Sequence, residues 1–192
     1  MKTVNLMIVG VGGQGSLLAS KLLGRLLLDE GFDVKVSEVH GMSQRGGSVV
    51  TYVRFGEKVS SPLVDLGEAD FIISFEKLEG ARYIDHLRRG GLLIVSTQQI
   101  DPMPVITGAA VYPEDVLDHY AAQGVRIDAI DALSLAEKAG SPRTVNIVLM
   151  GRLARSLDIP YEKWIAAIEH SVAERFAEMN KKAFALGYGK EI

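Results

Sequence analysis

The segment from Val4 to Glu30 constrains this chain more than any other. A short apolar run, Val4 to Val9, ends at Gly10. After the glycines, Gln14 to Asp29 places Leu17, Leu18, Leu22, Leu26 and Leu27 at helical spacing, and Gly31 stands where a helix C-terminus needs a left-handed residue. Between the two lies Gly10-Val11-Gly12-Gly13-Gln14-Gly15, which satisfies G-x-G-x-x-G in the context that gives the pattern meaning: after a strand and before a helix. Such a unit requires a sheet for its strand to join. On the usual assignment, Gly10 allows the tight turn, Gly12 a close ligand approach, and Gly15 close packing of helix on strand. The free N–H groups and helix dipole then favour an anion. A turn used only for packing has the same pattern.

The rest of the chain alternates in the same way. Asp33 to Val39, Val49 to Phe55, Ala69 to Phe75, Leu92 to Ser96, Ala109 to Tyr112 and Val125 to Ile130 read as strands. Glu76 to Arg88 (ended by Gly90-Gly91), Glu114 to Gln123 and Ala132 to Ala139 read as helices. After Ser141-Pro142 the chain is helical, in segments Val145 to Leu157, Tyr161 to Ser171 and Val172 to Leu186. The expected fold class is α/β: a Rossmann-like, doubly wound, mostly parallel sheet with a helical C-terminal tail. Residues 1–192 form one expected domain, with 143–192 as the tail packed on it.

Composition removes several function classes. With no cysteine in 192 residues, disulfides, thiolate zinc sites, cysteine-ligated iron–sulfur clusters and a catalytic cysteine are excluded. No metal site is expected, because the histidines have no ligand spacing. A net charge of −3 argues against a nucleic-acid binder that relies on a basic surface, though it leaves room for a local basic patch. No apolar run is long enough for a membrane span, and the N-terminus reads as a buried strand rather than a signal peptide, so a cytoplasmic protein is expected.

The second distinctive segment is His40-Gly41-Met42-Ser43-Gln44-Arg45-Gly46-Gly47. Its glycines free the backbone, Ser43 and Gln44 offer neutral hydrogen bonds, and Arg45 offers a fork for phosphate or carboxylate. Following strand two, it should share the carboxyl edge of the sheet with the first glycine turn. The composite anion site this makes competes with a plain solvated loop. Glu38 stands where a nicotinamide enzyme holds its ribose, yet it runs directly into this loop, and nothing downstream supplies a hydride-transfer acid or base. Glu76 and Glu79 read as first-turn acids, Tyr112 and Tyr120 as packing residues, and Trp164, Phe176 and Phe184 as core or partner anchors.

With both loops in view the chain resembles a known family. GVGGQG at 10–15, EVHGMSQRGG at 38–47, SPLV at 61–64, ADFIISFEKLEGARYI at 69–84, GGLLIVSTQQI at 90–100, Tyr112-Pro113 and the segment from Asn146 to Gly151 are similar to the gamma-type domain of 2-oxoacid:ferredoxin oxidoreductases, nearest to the beta subunits of the indolepyruvate branch. The resemblance implies oxidative decarboxylation of an aryl 2-oxoacid such as indolepyruvate to an aryl-acetyl-CoA, with ferredoxin as acceptor. It implies thiamine diphosphate, Mg and 4Fe-4S clusters in a larger alpha subunit, because this chain has no cysteines and no G-D-G thiamine motif. The chain alone would be inactive, and an isolated copy could pair with a second through the face the partner normally covers. The expected contribution of this chain is an edge for coenzyme A or substrate, with Gly12, Gly13, Gln14 and Gly15 approaching it and Ser43, Gln44, Arg45, Gly46 and Gly47 fixing its polar groups. No catalytic residue is assigned. The competing readings are a stand-alone NAD(P)- or flavin-dependent oxidoreductase and an assembly or binding module without chemistry.

Overall fold

The computed structural model describes residues 3–40 and 47–190. Its centre is a six-stranded sheet: β1 (Val4–Val11), β2 (Asp33–His40), β3 (Ser48–Gly56), β4 (Ala69–Ser74), β5 (Leu87–Ser96) and β6 (Arg126–Ile130), in the order β2-β3-β1-β4-β5-β6. β1, β4, β5 and β6 run parallel. The helices are α1 (Ser16–Asp29), α2 (Lys77–Arg82), α3 (Met103–Ile106), α4 (Val116–Ala122), α5 (Ala132–Ala139), α6 (Val145–Ala154), α7 (Tyr161–Ser171) and α8 (Glu174–Tyr188), with 3-10 turns at Ile84–His86 and Pro142–Thr144.

The apolar runs of the central strands follow from burial on both faces. Leu6, Ile8, Val53, Phe55, Ile73 and Ile94 point into a core closed by α1 and α5 to α8. Met7, Val9, Val50, Ile72, Leu93 and Val95 point the other way, under Leu117, Tyr120 and Ile84. The sheet is thus covered on both sides, as the alternation of elements predicts. Trp164 and Phe184 stack at 5.6 Å inside the first core, whereas Phe176 is half-exposed.

β3 runs antiparallel to both β1 and β2, so the sheet is mixed on that side. The helix expected over Glu76 to Arg88 stops at Arg82. The chain enters β5 at Leu87, and Gly90-Gly91 lies inside that strand, where the pairing slips between Ala69–Leu87 and Phe71–Leu92. Ala109 to Tyr112 forms no strand, and the stretch before it contains the short α3.

The C-terminal helices are built into the core. All of α6 except Arg152 is buried. Gly151 of α6 and Gly187 of α8 meet backbone to backbone: a Cβ on Gly151 would lie 2.2 Å from the Phe184 carbonyl oxygen, and one on Gly187 2.0 Å from that of Val148.

Candidate functional site

The carboxyl ends of β1 and β4 are adjacent, and their following helices lie on opposite faces of the sheet. This is the switch point at which doubly wound folds open a crevice. Here one side chain bridges its two walls. Gln14 Oε1 accepts from the Val11 N–H at 2.7 Å, while Gln14 Nε2 donates to the Phe75 carbonyl at 3.1 Å and to Gln98 Oε1 at 3.4 Å. Gly10 makes room for this: a Cβ there would lie 2.9 Å from Gln14 Oε1 and 3.0 Å from Phe75 Cβ.

The glycines divide their roles differently from the usual assignment. Gly10 serves close packing against the start of the β4–α2 connection. Gly13 has φ +100 with open space beside it, and supplies the turn. Gly15, the N-cap of α1 at φ +87, packs on α6 rather than on a strand. Its carbonyl accepts from Asn146 Nδ2 at 3.2 Å, and a Cβ there would lie 2.8 Å from that nitrogen.

The expected meeting of the two loops is visible at one point. Gly12 N–H donates to the Gly47 carbonyl at 2.8 Å, and Ser48 pairs with Val11. Ser43, Gln44, Arg45 and Gly46 lie outside the described residues. Glu38 is turned onto α1, where it accepts from Ser20 Oγ at 2.8 Å.

Along α1 the arrangement suits an anion. The helix has no capping side chain and no acid in its first turn, and the N–H groups of Ser16 and Leu17 have no acceptor within the helix. An open cleft of about 620 Å³ lies here, lined among others by Gly13, Gln14, Leu18, Gln98, Arg143 and Asn146. Arg143 is exposed and forms no ion pair among the described residues. A second hollow of about 490 Å³, with Val172, Phe176 and Met179 on its wall, shares Leu18 and Arg143 with the first. Sequence reasoning missed Arg143 and Asn146. They lie some 130 positions from the turn, and the Ser141-Pro142 break and the family-like segment from Asn146 to Gly151 mark their neighbourhood without tying it to the turn.

Below the same edge is a buried acid cluster. Glu76 is the N-cap of α2 and accepts from the Glu79 N–H at 2.9 Å, the Ile100 N–H at 3.3 Å and the Tyr112 hydroxyl. Tyr112 OH also accepts from the Leu78 N–H at 3.2 Å. Burial, and then the neighbouring Glu76 carboxylate, push the Tyr112 phenol above its usual range. Glu79 accepts from Ser48 Oγ at 2.5 Å and pairs with Arg82 at 3.1 Å. Burial nevertheless holds its carboxyl above the usual range. Glu79 is therefore a first-turn acid, as expected, whereas Glu76 is the residue that caps α2, and Tyr112 is a buried hydrogen-bonding residue as well as a packing one.

Comparison with known proteins decides what kind of chain carries this edge. The model of the pyruvate ferredoxin/flavodoxin oxidoreductase family matches residues 5–190. The chain belongs to that family. Two relatives named indolepyruvate oxidoreductase subunit IorB, from Thermococcus kodakarensis and Pyrococcus horikoshii, are each 44% identical over 97% of this chain and 95% of their own length. The resemblance read from the paired loops is borne out. The fold recurs in a keto/oxoacid ferredoxin oxidoreductase gamma subunit from Geobacter sulfurreducens, at a TM-score of 0.74 and 22% identity, covering 99% of this chain and 97% of that one. It recurs again within a longer chain, the 2-oxoglutarate:ferredoxin oxidoreductase of Magnetococcus marinus, at a TM-score of 0.74 and 19% identity, covering 98% of this chain and 31% of that one. No helix among the described residues is long and apolar enough to cross a membrane.

Proposed function

We propose that this chain is the small subunit of a thiamine-dependent indolepyruvate:ferredoxin oxidoreductase, and that its glycine-turn edge receives coenzyme A beside a larger, cofactor-bearing subunit. The observation that carries the reading is the 44% identity, over nearly the whole chain, to relatives named as a subunit of indolepyruvate oxidoreductase. In the complex, thiamine diphosphate would supply the decarboxylation chemistry, and iron–sulfur clusters would carry the electrons to ferredoxin. The clusters do not fit this chain, which has no cysteine to ligate them, and no group of three or more acids and histidines among the described residues could hold a metal ion.

A phosphate-bearing ligand does fit. The open backbone at Gly13 and the guanidinium of Arg143, which forms no ion pair among the described residues, line one cleft at the start of α1, where the N–H groups of Ser16 and Leu17 have no acceptor within the helix. Ser43, Gln44, Arg45 and Gly46 lie outside the described residues and keep their proposed role from the sequence; the support is that Gly47, next in the chain, is held by the Gly12 N–H. A free dinucleotide is the poorer candidate, since the crevice it would enter holds Gln14.

The test is co-expression with a larger, cysteine-rich, thiamine-binding chain, followed by coenzyme A-dependent ferredoxin reduction with indolepyruvate, pyruvate, 2-oxoisovalerate and 2-oxoglutarate. Indolepyruvate should be turned over best. A clear preference for another 2-oxoacid would remove the substrate assignment. Arg143→Ala and Arg45→Ala should each raise the apparent KM for coenzyme A by roughly tenfold or more, the scale of one charge-assisted phosphate contact. Unchanged KM values and turnover in both variants would remove the edge from the reaction. Micromolar binding of NAD, NADP or flavin to the pure chain would favour the stand-alone reading.

A further inference from the structure

The segment between β5 and α4 has a property that neither the fold nor the cleft requires. From Asp101 to Val111 almost every residue is exposed, and α3 has no buried residue at all. Three of those residues are large and apolar: Met103 is 66% exposed, Ile106 64% and Val111 92%. Met103 and Ile106 are one helical turn apart, and the Ala110 N–H folds back onto the Pro104 carbonyl at 3.0 Å, bringing Val111 beside that helix. Three exposed apolar residues grouped in this way mark a contact site.

The segment is also fixed in place before anything binds. Internal hydrogen bonds tie Val105 and Ile106 to Pro102, Thr107 to Met103 and Gly108 to Val105. Both of its ends are held by one buried carboxylate, since Glu76 accepts from the Ile100 N–H and from the Tyr112 hydroxyl. A knob ordered in the free chain loses little conformational freedom on docking.

Its charge narrows the occupant. Between Arg89 and Arg126 the sequence has no Lys or Arg, but it carries Asp101, Glu114, Asp115 and Asp118, all exposed. Among the described residues only Glu114 of these acids meets a cation, Lys77 at 3.6 Å. A two-fold contact with a second copy would set these acids against themselves. A face that joins an apolar socket to Lys and Arg complements both properties. Moreover, the segment leaves the carboxyl end of β5 beside Gln98, which lines the cleft, so whatever seats there stands over the glycine-turn edge.

We infer that the knob from Ile100 to Tyr112, with its acidic rim, is the element by which this chain seats in the larger cofactor-bearing subunit, against an apolar socket ringed by basic side chains. The inference rests on the subunit reading above. The experiment is co-expression with a tagged large chain, scored by pull-down, by sizing, and by the melting temperature of the free small chain. Met103→Asp, Ile106→Asp and Val111→Asp combined should weaken pairing by about 30-fold or more, as expected for apolar anchors at an interface centre, and leave the melting temperature unchanged. Pairing at the wild-type level would overturn the inference while leaving the subunit reading intact. If wild-type chains do not pair at all, the subunit reading fails and takes the knob with it. Glu114→Lys, Asp115→Lys and Asp118→Lys combined leave the apolar residues alone and guard against a misfolded first variant. They should weaken pairing most at low salt, and unchanged affinity there would overturn the charge argument. A free wild-type chain that is dimeric, and that the Asp variant makes monomeric without affecting large-chain pairing, would give the knob to a second copy and overturn the inference.

Discussion

Alanine substitution at two helical glycines should move stability in opposite directions. Within a helix, where the new methyl has room, replacing Gly by Ala is worth up to about 1 kcal/mol, because the backbone loses less entropy on folding. At Gly24 of α1 the new Cβ would meet only Val36 Cγ2, at an ordinary 3.7 Å, so propensity decides and Gly24→Ala should raise the melting temperature by about 2–4 °C. At Gly151 the same methyl would sit 2.2 Å from the Phe184 carbonyl oxygen and 2.8 Å from the Tyr188 nitrogen. These are backbone atoms, so no rotamer change relieves the contact, and α8 must retreat by about 1 Å. That retreat loosens the packing of Phe184 on Trp164. An overpacking cost near the upper end of the usual range, about 3 kcal/mol, less the propensity gain, leaves roughly 2 kcal/mol of destabilisation. For a chain of this size the melting temperature should fall by about 4–8 °C. Circular-dichroism melts of the two variants beside wild type are sufficient. A Gly151→Ala protein melting at or above wild type would refute the claim that the α6–α8 crossing is set by backbone contact.

Three further outcomes follow from the carboxyl edge and its surroundings. Tyr112→Phe removes a donor to Glu76 and an acceptor for Leu78, and should cost about 1–3 kcal/mol in urea unfolding at neutral pH. Because the folded phenol titrates above its unfolded value of about 10, its contribution is intact below pH ~10 and is lost as pH rises beyond that; wild-type stability should therefore fall more steeply than that of Tyr112→Phe in alkali. Gln14→Ala strands the Val11 N–H and the Phe75 carbonyl, and should cost about 1–3 kcal/mol by the same assay. Arg152→Lys gives up the two-pronged contact with Asp128, at 2.7 and 2.8 Å, in a quarter-exposed site, for a loss of about 0.5–1 kcal/mol.

Local periodicity made much of the fold legible. The spans read for α5 and α7 match the structure residue for residue, because each has a clear boundary signal at one end, Gly140 with Ser141-Pro142 after the first and Pro160 before the second. Strand direction was less visible, since a period of two marks a strand but says nothing of which way it runs. The direction of β3 follows from what lies between His40 and Ser48, a stretch too short for a parallel crossover of about a dozen residues. Gly90-Gly91 looked like a helix stop, because a left-handed glycine serves a strand irregularity as well as a helix end. Val111-Tyr112 had a strand's composition, but the tyrosine is held by Glu76 and the valine is left outside. At the candidate site the turn and its meeting with Gly47 could be anticipated. Arg143 and Asn146 could not, because their place beside Gly15 depends on how α6 crosses α1, and no local pattern encodes that crossing.

The position of Gln14 has a consequence for access to the crevice. Because the amide is tethered three residues beyond the N–H it satisfies, it competes for the crevice at the high effective concentration of an intramolecular group. The protein in effect carries its own ligand at the switch point. A group reaching the Val11 N–H and the Phe75 carbonyl would have to displace that resident first. The turn and the start of the β4–α2 connection are thereby joined through one amide.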